Sequence, residues 1–403
     1  MNYNGTIDIN LPDHGIDLGK GSRLKARAGL SREEFEGYVA ELKKSGGYQI
    51  IQENTIGDNL YVTLLSDEGM LHLYYTASEQ TVRLISDTLD CFSLPVEEGK
   101  TYEKVTDTTF CVMSLDYTHR EVTDGHGMGY VIILEDGRFV VMDGGYAQDA
   151  PRLYQFLCDH NYRTDGRIVI AAWFMSHSHG DHCGCFIEFT KRYAKEVTLE
   201  HWIANPALPW MFTAGYSSWL TDFAPDLLKE YGNVRWIRPH TGQRVRFCDM
   251  TFEFLYTLED YLPTLFTNMN DTSTVTRMTV KGQTVLFMGD CEKTASAVIE
   301  RQQGEGLKSD FAQVNHHGYS GGSTALYQRI APTYSLWCTS DIAFRFRTCG
   351  IKYQWIGNAV SSNKYMYDTV GEENCFVADG PVKLIRMPLT DKEKDITYYL
   401  FDA

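Results

Sequence analysis

Apolar residues near the start of the chain recur first at helical spacing and then at alternate positions. Phe35, Val39 and Leu42 share one face of a predicted helix, and Ser31 followed by Glu34 is typical of a capping box that begins it. Four strand-like runs come next: 48–53, 59–65, 70–76 and 82–85. A helix against an antiparallel sheet is a compact α+β module.

This small N-terminal α+β module is a predicted domain over residues 1–105. We expect residues 1 to about 28, rich in Gly, Asp and Asn, to form a tail or an arm, and residues 92–106 to form a linker. His72 lies in an alternating strand and is interpreted as a packing or surface residue. Because nothing in the module suggests chemistry, we interpret it as a substrate-gating or dimerisation element.

Strand-like and helical runs alternate over residues 106–403, which predicts an α/β domain. A hairpin of 130–134 with 138–142 ends at Asp143, and a buried strand ends at Ser176. Later predicted strands are 197–204, two within 234–257, 274–280, 284–288, 310–314, 334–338, 364–368 and 382–387. Predicted helices are 152–160, 186–195, 324–330 and 353–361.

The stretch AAWFMSHSHGDHCGC places four potential metal ligands within six residues, directly after an apolar strand. Neutral imidazoles and a carboxylate suit divalent zinc, iron or manganese. His177 and His179 can point the same way from an extended segment. Gly180 allows a sharp turn into a loop, so that Asp181 and His182 can face a second ion.

Two later strand ends carry further candidate residues. Asp290 follows a strand and a glycine, where a carboxylate can bridge two cations. His316 and His317 are adjacent at the end of the next predicted strand. Alone, a Gly-Asp pair would be interpreted as a turn, so the interpretation of Asp290 depends on its place after the earlier motif.

Together, H-x-H-x-D-H, the Gly-Asp and the His-His-Gly resemble the metallo-β-lactamase superfamily. Within it the chain looks most like the hydrolase domain of ComEC-type DNA-uptake competence proteins and the related phosphorylcholine esterases. The resemblance covers roughly Thr109 to the C-terminus and implies the αββα sandwich of that superfamily. It also implies that Asp143 lies close behind the metal site and orients it.

The resemblance further implies a site for two divalent metal ions, zinc above all, with manganese or iron as alternatives. Its metal ligands would be His177, His179, Asp181, His182, Asp290 and one of His316 and His317. Analogy with other members suggests His316 as the ligand and His317 as the catalytic contact to substrate phosphate or general acid, with the order left open. Asp181 would also orient the nucleophile.

One position departs from the wider superfamily. Lactamase- and glyoxalase-like members place a third histidine ligand of the first metal just before a strand pair, where this chain has Asn270 or Asp271. With fewer nitrogen ligands, the first metal ion would be bound more weakly and lost more easily.

Several other residues near these motifs have two interpretations. The aromatic stretch 206–231 is either core packing or the wall of a substrate pocket. His126 and the segment 345–347 are either loop residues or substrate contacts, the latter through guanidinium groups. The thiols Cys183, Cys185 and Cys291 are interpreted as packed rather than metal-bound, and His201 and His240 as structural.

Composition narrows the function. Charged residues make up 22% of the chain, and the formal net charge of −16 argues against a generic polyanion binder. Ten cysteines spread over 403 residues fit a reducing compartment rather than a disulfide framework. Because neither a membrane span nor a signal peptide is evident, we expect a cytoplasmic protein without membrane contact.

The resemblance implies a metal-dependent hydrolase in which two cations lower the pKa of a bridging water, and the resulting hydroxide attacks phosphorus or a carbonyl carbon. We expect a phosphodiesterase acting on a small-molecule phosphoester rather than on nucleic acid. One alternative is a carbon-centred hydrolase of an amide, lactone or thioester, against which the missing third histidine counts. Another is a non-catalytic metal-binding scaffold protein. The oligomeric state stays open, with a homodimer as one option.

Overall fold

The N-terminal module is an antiparallel sheet covered by one helix in the computed structural model, which describes residues 15–44, 47–88, 96–97, 99–115, 127–349 and 361–401. Its elements are β1 (Ile16–Gly19), β2 (Ser22–Ala28), α1 (Arg32–Lys44), β3 (Gln49–Ile56), β4 (Asn59–Leu65), β5 (Met70–Thr76) and β6 (Thr81–Asp87). The strand order is β1-β2-β6-β5-β4-β3. As predicted, Ser31 Oγ accepts a hydrogen bond from the Glu34 amide at 3.2 Å, and α1 buries Phe35, Val39 and Leu42.

The prediction of a tail or arm is wrong for residues 16–28, which form β1 and β2. β2 pairs along its whole length with β6, from Arg23 opposite Ser86 to Ala28 opposite Thr81. A strand defined by a distant partner leaves little local signal in a polar sequence.

The first part of the main domain forms one sheet and its covering helices. Its elements are β7 (Thr109–Val112), β8 (Gly129–Ile133), β9 (Phe139–Asp143), α2 (Ala150–Asp159), β10 (Ile168–Phe174), α3 (Gly180–Tyr193), β11 (Val197–Leu199), β12 (His201–Ile203), α4 (Trp219–Leu227) and β13 (Arg235–Ile237). The aromatic stretch 206–231 therefore contains a short helix, α4.

The second part forms a further sheet with its own helices. Its elements are β14 (Arg244–Phe247), β15 (Met250–Tyr256), β16 (Val275–Val280), β17 (Gln283–Phe287), α5 (Lys293–Gln303), β18 (Phe311–Gln313), α6 (Thr324–Ile330), β19 (Tyr334–Trp337), α7 (Asp341–Cys349), α8 (Ser361–Val370) and β20 (Cys375–Val377). β21 (Val382–Arg386), α9 (Lys392–Asp395) and β22 (Ile396–Tyr399) then return to the first sheet.

The two sheets face each other across a hydrophobic core. The first has the order β13-β12-β10-β9-β8-β7-β21-β22, with β11 beside β10, and the second β14-β15-β16-β17-β18-β19-β20. Phe110 of the first sheet lies 5.9 Å from Phe287 of the second, measured between ring centroids. α2 and α3 cover the outer face of the first sheet, and α5 and α6 that of the second. These layers confirm the αββα sandwich.

Two predictions near the C-terminus have different outcomes. The segment 364–368, predicted as a strand, is helical within α8, where Lys364 and Asp368 form an ion pair one turn apart. Met366 is buried there, whereas Tyr365 and Tyr367 on either side of it are partly exposed. The predicted helix 353–361 lies outside the described residues except for its last residue.

The module is fixed to the main domain by buried polar contacts as well as apolar ones. Gln52 of β3 exchanges two hydrogen bonds with the backbone of Arg244, at 2.9 and 2.7 Å. His240 lies fully buried between Asp87 of β6, at 2.7 Å, and Glu259, at 2.8 Å. Gly242, at φ +88°, packs so closely on Tyr61 that a methyl group there would lie 1.8 Å from the ring. The described helices include none with the length and apolarity needed to cross a bilayer.

Candidate metal centre

The predicted metal-ligating residues meet where strands of both sheets end. His177, Asp290 and His316 each come three residues after a strand, namely β10, β17 and β18. Two groups of side chains result, in each of which the candidate ligand atoms lie within 4.8 Å of one another. One group is Asp181, His182, Asp290 and His317, and the other is His177, His179 and Asp290. The two groups contain every predicted site residue except His316.

Asp290 belongs to both groups and lies between them. Its Oδ2 atom is 3.1 Å from His182 Nε2, 3.4 Å from His317 Nε2 and 4.0 Å from His177 Nε2. Gly289 directs this carboxylate from the strand end by adopting φ +55°, with Ser273 packed 2.8 Å from where a Cβ would stand. This is the position from which one carboxylate can bridge two cations.

The donor set fits divalent metal ions. Both carboxylate oxygens of Asp290 are buried and accept no well-formed hydrogen bond from the described residues, and the same is true of Asn270 Oδ1. A buried carboxylate without well-formed hydrogen bonds is unfavourable in free energy, whereas an ion between it and the imidazoles would satisfy it. Imidazole and carboxylate ligands suit zinc, manganese and iron.

Asp181 and His182 lie in the first turn of α3, not in a loop after a sharp turn as predicted. The Gly180 backbone is not left-handed. Instead the glycine at 184 allows close packing, since a Cβ there would lie 3.0 Å from the backbone nitrogen of Ala147. A carboxylate in the first turn of a helix is favoured by the helix dipole. The turn places both ligand candidates on the side of Asp290.

The far ring nitrogens of these histidines are held by hydrogen bonds. His182 Nδ1 lies 2.8 Å from Asp143 Oδ2, and His317 Nδ1 lies 2.8 Å from the carbonyl of Cys338. Asp143 also accepts hydrogen bonds from the amide and hydroxyl of Ser176, both at 2.7 Å. Partners of this kind fix the orientation of metal-ligating histidines, and the position of Asp143 behind the site agrees with the prediction.

Burial and neighbouring charge act differently on the buried histidines. Burial lowers the pKa of His177 well below its ordinary value. Burial acts in the same direction on His182, but the carboxylates around it, led by Asp290, raise its pKa well above the ordinary value. Burial is likewise outweighed at His317, whose pKa Asp290 and Asp181 raise to about 9. The site therefore attracts positive charge.

The adjacent histidines have different surroundings. Both have left-handed backbones, with φ 44° at His316 and 50° at His317, a conformation unfavourable for residues other than glycine. His317 is 1% exposed and lies inside the group with Asp290. His316 is 24% exposed, and its Nε2 lies 3.7 Å from Asp290 Oδ2.

Asn270 and Asp271, which occupy the position of the missing third histidine, have different roles. Asp271 Oδ1 accepts hydrogen bonds from the amides of Glu292 and Ala295, at 3.1 and 2.9 Å, and so caps α5. Asn270 faces the site, with its Nδ2 3.4 Å from His316 Nε2. Asn270 is therefore the residue that stands in place of the histidine.

The opening of the site lies beside α4. Among the ligand candidates His179, Asp181 and His316 are partly exposed. Trp219, 45% exposed, lies 3.7 Å from where a Cβ of Gly180 would stand. Ser178 between the first two histidines accepts a hydrogen bond from the amide at 220 at 2.9 Å. The aromatic stretch thus combines packing with an exposed aromatic side chain at the edge of the site.

The remaining candidates lie in structural positions. Cys183 and Cys185 are buried, and burial raises the pKa of both thiols. Arg347 is buried in α7 and donates to the His317 carbonyl and to Thr339, whereas Arg345 is an exposed partner of an aspartate on the same helix. His201 Nδ1 donates to the carbonyl oxygen of Ala171, 2.8 Å away. His72 is buried and bonded to Thr63 and Thr241, and His126 lies outside the described residues.

Three residues of the site were not singled out from the sequence, although Trp219 belongs to the aromatic stretch considered as a pocket wall. Glu292 lies 2.6 Å from His316 Nδ1, Ser176 bonds Asp143, and Trp219 adjoins Gly180. The sequence signal for Glu292 is its place two residues after Asp290. Trp219 carried no signal that distinguished it from the other aromatic residues of its stretch.

Comparison with known proteins gives one family and a set of solved structures. The family model of the metallo-beta-lactamase superfamily matches residues 122–332. No curated protein matches the chain. Zn²⁺-bound PqqB from Methylobacterium extorquens is similar with 9% identity and a TM-score of 0.39, over 68% of this chain and 99% of that one. CmlA, a diiron β-hydroxylase from Streptomyces venezuelae, has 11% identity and a TM-score of 0.38, over 72% of this chain and 55% of its own. MEM-A1, a subclass B3 metallo-β-lactamase from a soil metagenome library, has 14% identity and a TM-score of 0.32, over 66% of this chain and 91% of that one.

Proposed function

The chain belongs to the metallo-β-lactamase superfamily, and we propose that it is a metal-dependent phosphodiesterase of small phosphoesters within that superfamily of hydrolases. The observation that carries the proposal is Asp290, which belongs to both groups of ligand candidates and whose two buried oxygens accept no well-formed hydrogen bond from the described residues. When bound, two divalent ions supply activated water and stabilise the negative charge that develops on phosphoryl oxygens.

We assign the protein's own residues as follows. His177, His179 and Asp290 would hold one ion, and Asp181, His182 and His317 would hold a second together with Asp290. This assignment reverses the order of the adjacent histidines suggested by analogy, since the buried His317 lies within the group and the partly exposed His316 lies at its open side. Asp181, also partly exposed, orients the attacking water.

The features around Asn270 favour phosphorus over carbon as the centre attacked. An amide oxygen instead of a third imidazole makes the first site richer in oxygen donors, which suits ions such as manganese that are used with phosphate. His316 Nε2 stands beside it, available to contact a phosphoryl oxygen. The kinship with ComEC-type proteins and phosphorylcholine esterases is part of the same proposal.

The substrate that fits best is a small diester with an apolar or aromatic group. A net charge of −16 disfavours a long polyanion. Trp219 offers an exposed ring beside Gly180, and Phe223 one turn later extends it, with ring centroids 6.5 Å apart. An apolar substituent lying against these rings would leave its phosphate at the partly exposed ligands.

The test compares metal content with turnover of matched substrates. The purified protein is loaded with zinc or manganese, its metal content is measured by plasma mass spectrometry, and its hydrolysis of bis(p-nitrophenyl) phosphate is compared with that of p-nitrophenyl phosphate, p-nitrophenyl acetate and a lactone. Asp290→Asn tests the shared ligand. Asp310→Asn is the control, because Asp310 binds Thr284 far from the site through an amide and a hydroxyl, both at 2.8 Å.

We expect about two ions per chain and preferential diester cleavage, both lost in the Asp290 variant and kept in the control. Faster turnover of the acetate or lactone would overturn the phosphodiesterase assignment in favour of a carbon-centred hydrolase. Metal binding without turnover of any substrate would instead support a non-catalytic metal-binding protein.

A further inference from the structure

We propose that the cleft between the N-terminal module and α5 is a binding site for a small organic anion, one that carries a carboxylate or phosphate group beside a short apolar part. The cleft is separate from the metal centre, and its occupation does not require the reaction proposed there. The module thereby acquires a role in ligand binding in addition to its packing on the main domain.

The cavity in this cleft lies where the module packs on the main domain. Its volume is about 390 Å³, which is within the range of sites that bind small molecules, and domain interfaces are a frequent place for them. The module supplies Glu79 and Arg83 to the wall. The main domain supplies Asp260, neighbouring loop residues and one face of α5 that includes Ala297. A ligand in this cavity would contact both parts of the chain.

Two arginines meet one glutamate at the wall of the cavity. Glu79 Oε2 accepts a hydrogen bond from Arg83 Nη2 at 3.2 Å, and Glu79 Oε1 accepts one from Arg301 Nε at 3.0 Å. The side chain of Arg83 is 7% exposed, whereas that of Arg301 is 51% exposed. One carboxylate therefore stands between a buried and an exposed guanidinium group.

The acidic groups of the wall are already engaged with donors of the protein itself. Glu79 Oε2 also accepts from Gln302 Nε2 at 3.2 Å. Asp260 Oδ1 accepts from the Tyr74 hydroxyl at 3.0 Å, and its Oδ2 accepts from the Thr241 hydroxyl. The two carboxylates balance the two guanidinium groups in charge, so the hydrogen-bonding groups that remain decide which ligand fits.

The groups that remain are donors. Arg301 uses Nε and Nη2 for Glu79, which leaves its Nη1 without a partner among the described residues. The buried Nε of Arg83 also lacks a partner there, so an anion beside this guanidinium is favourable. Tyr261 and Thr264 bring hydroxyl groups to the same wall. Such a wall selects a ligand that supplies acceptors, and guanidinium groups favour carboxylate and phosphate.

The cavity also has an apolar side. Ala297 and Val298 of α5 and the ring of Tyr261 line it next to the donors. An inorganic ion would leave this surface without a contact, whereas an organic anion would cover it. The ligand class that fits both sides is therefore a small organic anion.

The experiment measures binding of phenyl phosphate, benzoate and the uncharged benzyl alcohol to the metal-loaded protein by calorimetry. Ala297→Glu places a competing carboxylate at the cavity wall without removing a side-chain hydrogen bond, and Ala297→Gln adds a side chain of similar size without the charge. Both residues are good helix formers at this exposed position of α5. Ala40→Glu, at an exposed position of α1 outside the cavity, controls for net charge. Arg301→Gln removes the exposed guanidinium group.

We expect at least one of the two anions to bind in the cavity, and benzyl alcohol to bind much more weakly. Ala297→Glu should weaken this binding roughly tenfold or more, because like charges a few ångströms apart repel each other. Arg301→Gln should weaken it roughly tenfold, since a charge-assisted hydrogen bond is lost. Ala297→Gln and Ala40→Glu should bind the anion as wild type does. The tighter of the two anions identifies the head group as phosphate or carboxylate.

The melting temperature gives a second measurement. A ligand that binds only the folded state stabilises it, so the bound anion should raise the melting temperature of wild type and of Ala297→Gln. It should raise that of Ala297→Glu less at the same concentration.

Four outcomes would overturn the proposal. In the first, neither anion binds wild type at millimolar concentration. In the second, Ala297→Glu and Arg301→Gln bind the anion as wild type does, which would place it at the metal centre or elsewhere. In the third, Ala297→Gln or Ala40→Glu weakens binding as much as Ala297→Glu, which would assign the effect to lost space or to net charge. In the fourth, benzyl alcohol binds as tightly as the anions.

Discussion

Replacing Asp143 by asparagine tests whether a single carboxylate behind the site sets metal affinity. In Asp143→Asn the remaining oxygen can still accept from the Ser176 amide, and the Ser176 hydroxyl can rotate to accept from the new amide group. The bond to His182 Nδ1, 2.8 Å long, has no such substitute, because the NH₂ group and the ring N–H are both donors.

The expected magnitude follows from that one bond. A hydrogen bond to a charged group contributes about 1.5–3 kcal/mol, and each 1.4 kcal/mol corresponds to roughly a factor of ten in a dissociation constant. We therefore expect the affinity of the ion held by Asp181, His182 and His317 to fall about 10- to 100-fold. The ion held by His177 and His179 should be affected less.

The assay is a competitive zinc titration of the metal-free protein against a chromophoric chelator. Asp310→Asn is its control, since that carboxylate holds the amide and hydroxyl of Thr284 just as Asp143 holds those of Ser176, but meets no histidine among the described residues. Wild-type affinity in a folded Asp143→Asn protein, or an equal loss in the control, would refute the reasoning.

Three further predictions concern stability and substrate choice. Burial opposes the charged form of His240, but Asp87 and Glu259 raise its pKa to about 9, above the unfolded value of about 6.5. The charged imidazole therefore stabilises the fold by about 3 kcal/mol below pH 6.5, and this contribution is lost as pH rises through 9. The free energy of urea unfolding should accordingly differ less between pH 6 and pH 9.5 in His240→Gln than in wild type. Gly242→Ala should lower the free energy of unfolding by roughly 3 kcal/mol or more because its methyl group would clash with Tyr61. Gly232→Ala, at a similar φ but with open space around it, should lower that free energy by about 1 kcal/mol. Equal losses in urea unfolding would exclude the clash as the cause. Trp219→Ala should raise KM for bis(p-nitrophenyl) phosphate about tenfold and change KM for methyl p-nitrophenyl phosphate less, and an equal change for both substrates would argue against an aromatic wall.

The layered fold and the ligand motif could be predicted because their signals are local. A charge-free strand followed by closely spaced histidines and aspartate identifies a strand end that carries ligands, and β10 ends three residues before His177. The capping box at Ser31 is equally local. What the sequence could not reveal is pairing with distant partners, as in β2 with β6.

The glycines around the motif have different roles from the one predicted. Gly180 predicts a sharp turn, and the helix is predicted to begin near Phe186, whereas α3 begins at Gly180. Gly184 makes a close contact with the backbone of Ala147, which the sequence alone does not reveal. The same holds for the order of His316 and His317. Both residues suit either role until the backbone angles and the position of Glu292 are known.

The site takes its ligand candidates from both halves of the sandwich, with His177 to His182 following the first sheet and Asp290 and His317 following the second. A shared ion would therefore act as a cross-link between parts of the chain that are more than a hundred residues apart. Since a ligand that binds only the folded state stabilises it in proportion to its free concentration, the melting temperature becomes a function of free metal. A chelator in the buffer would then lower the melting temperature of the protein as well as abolish turnover.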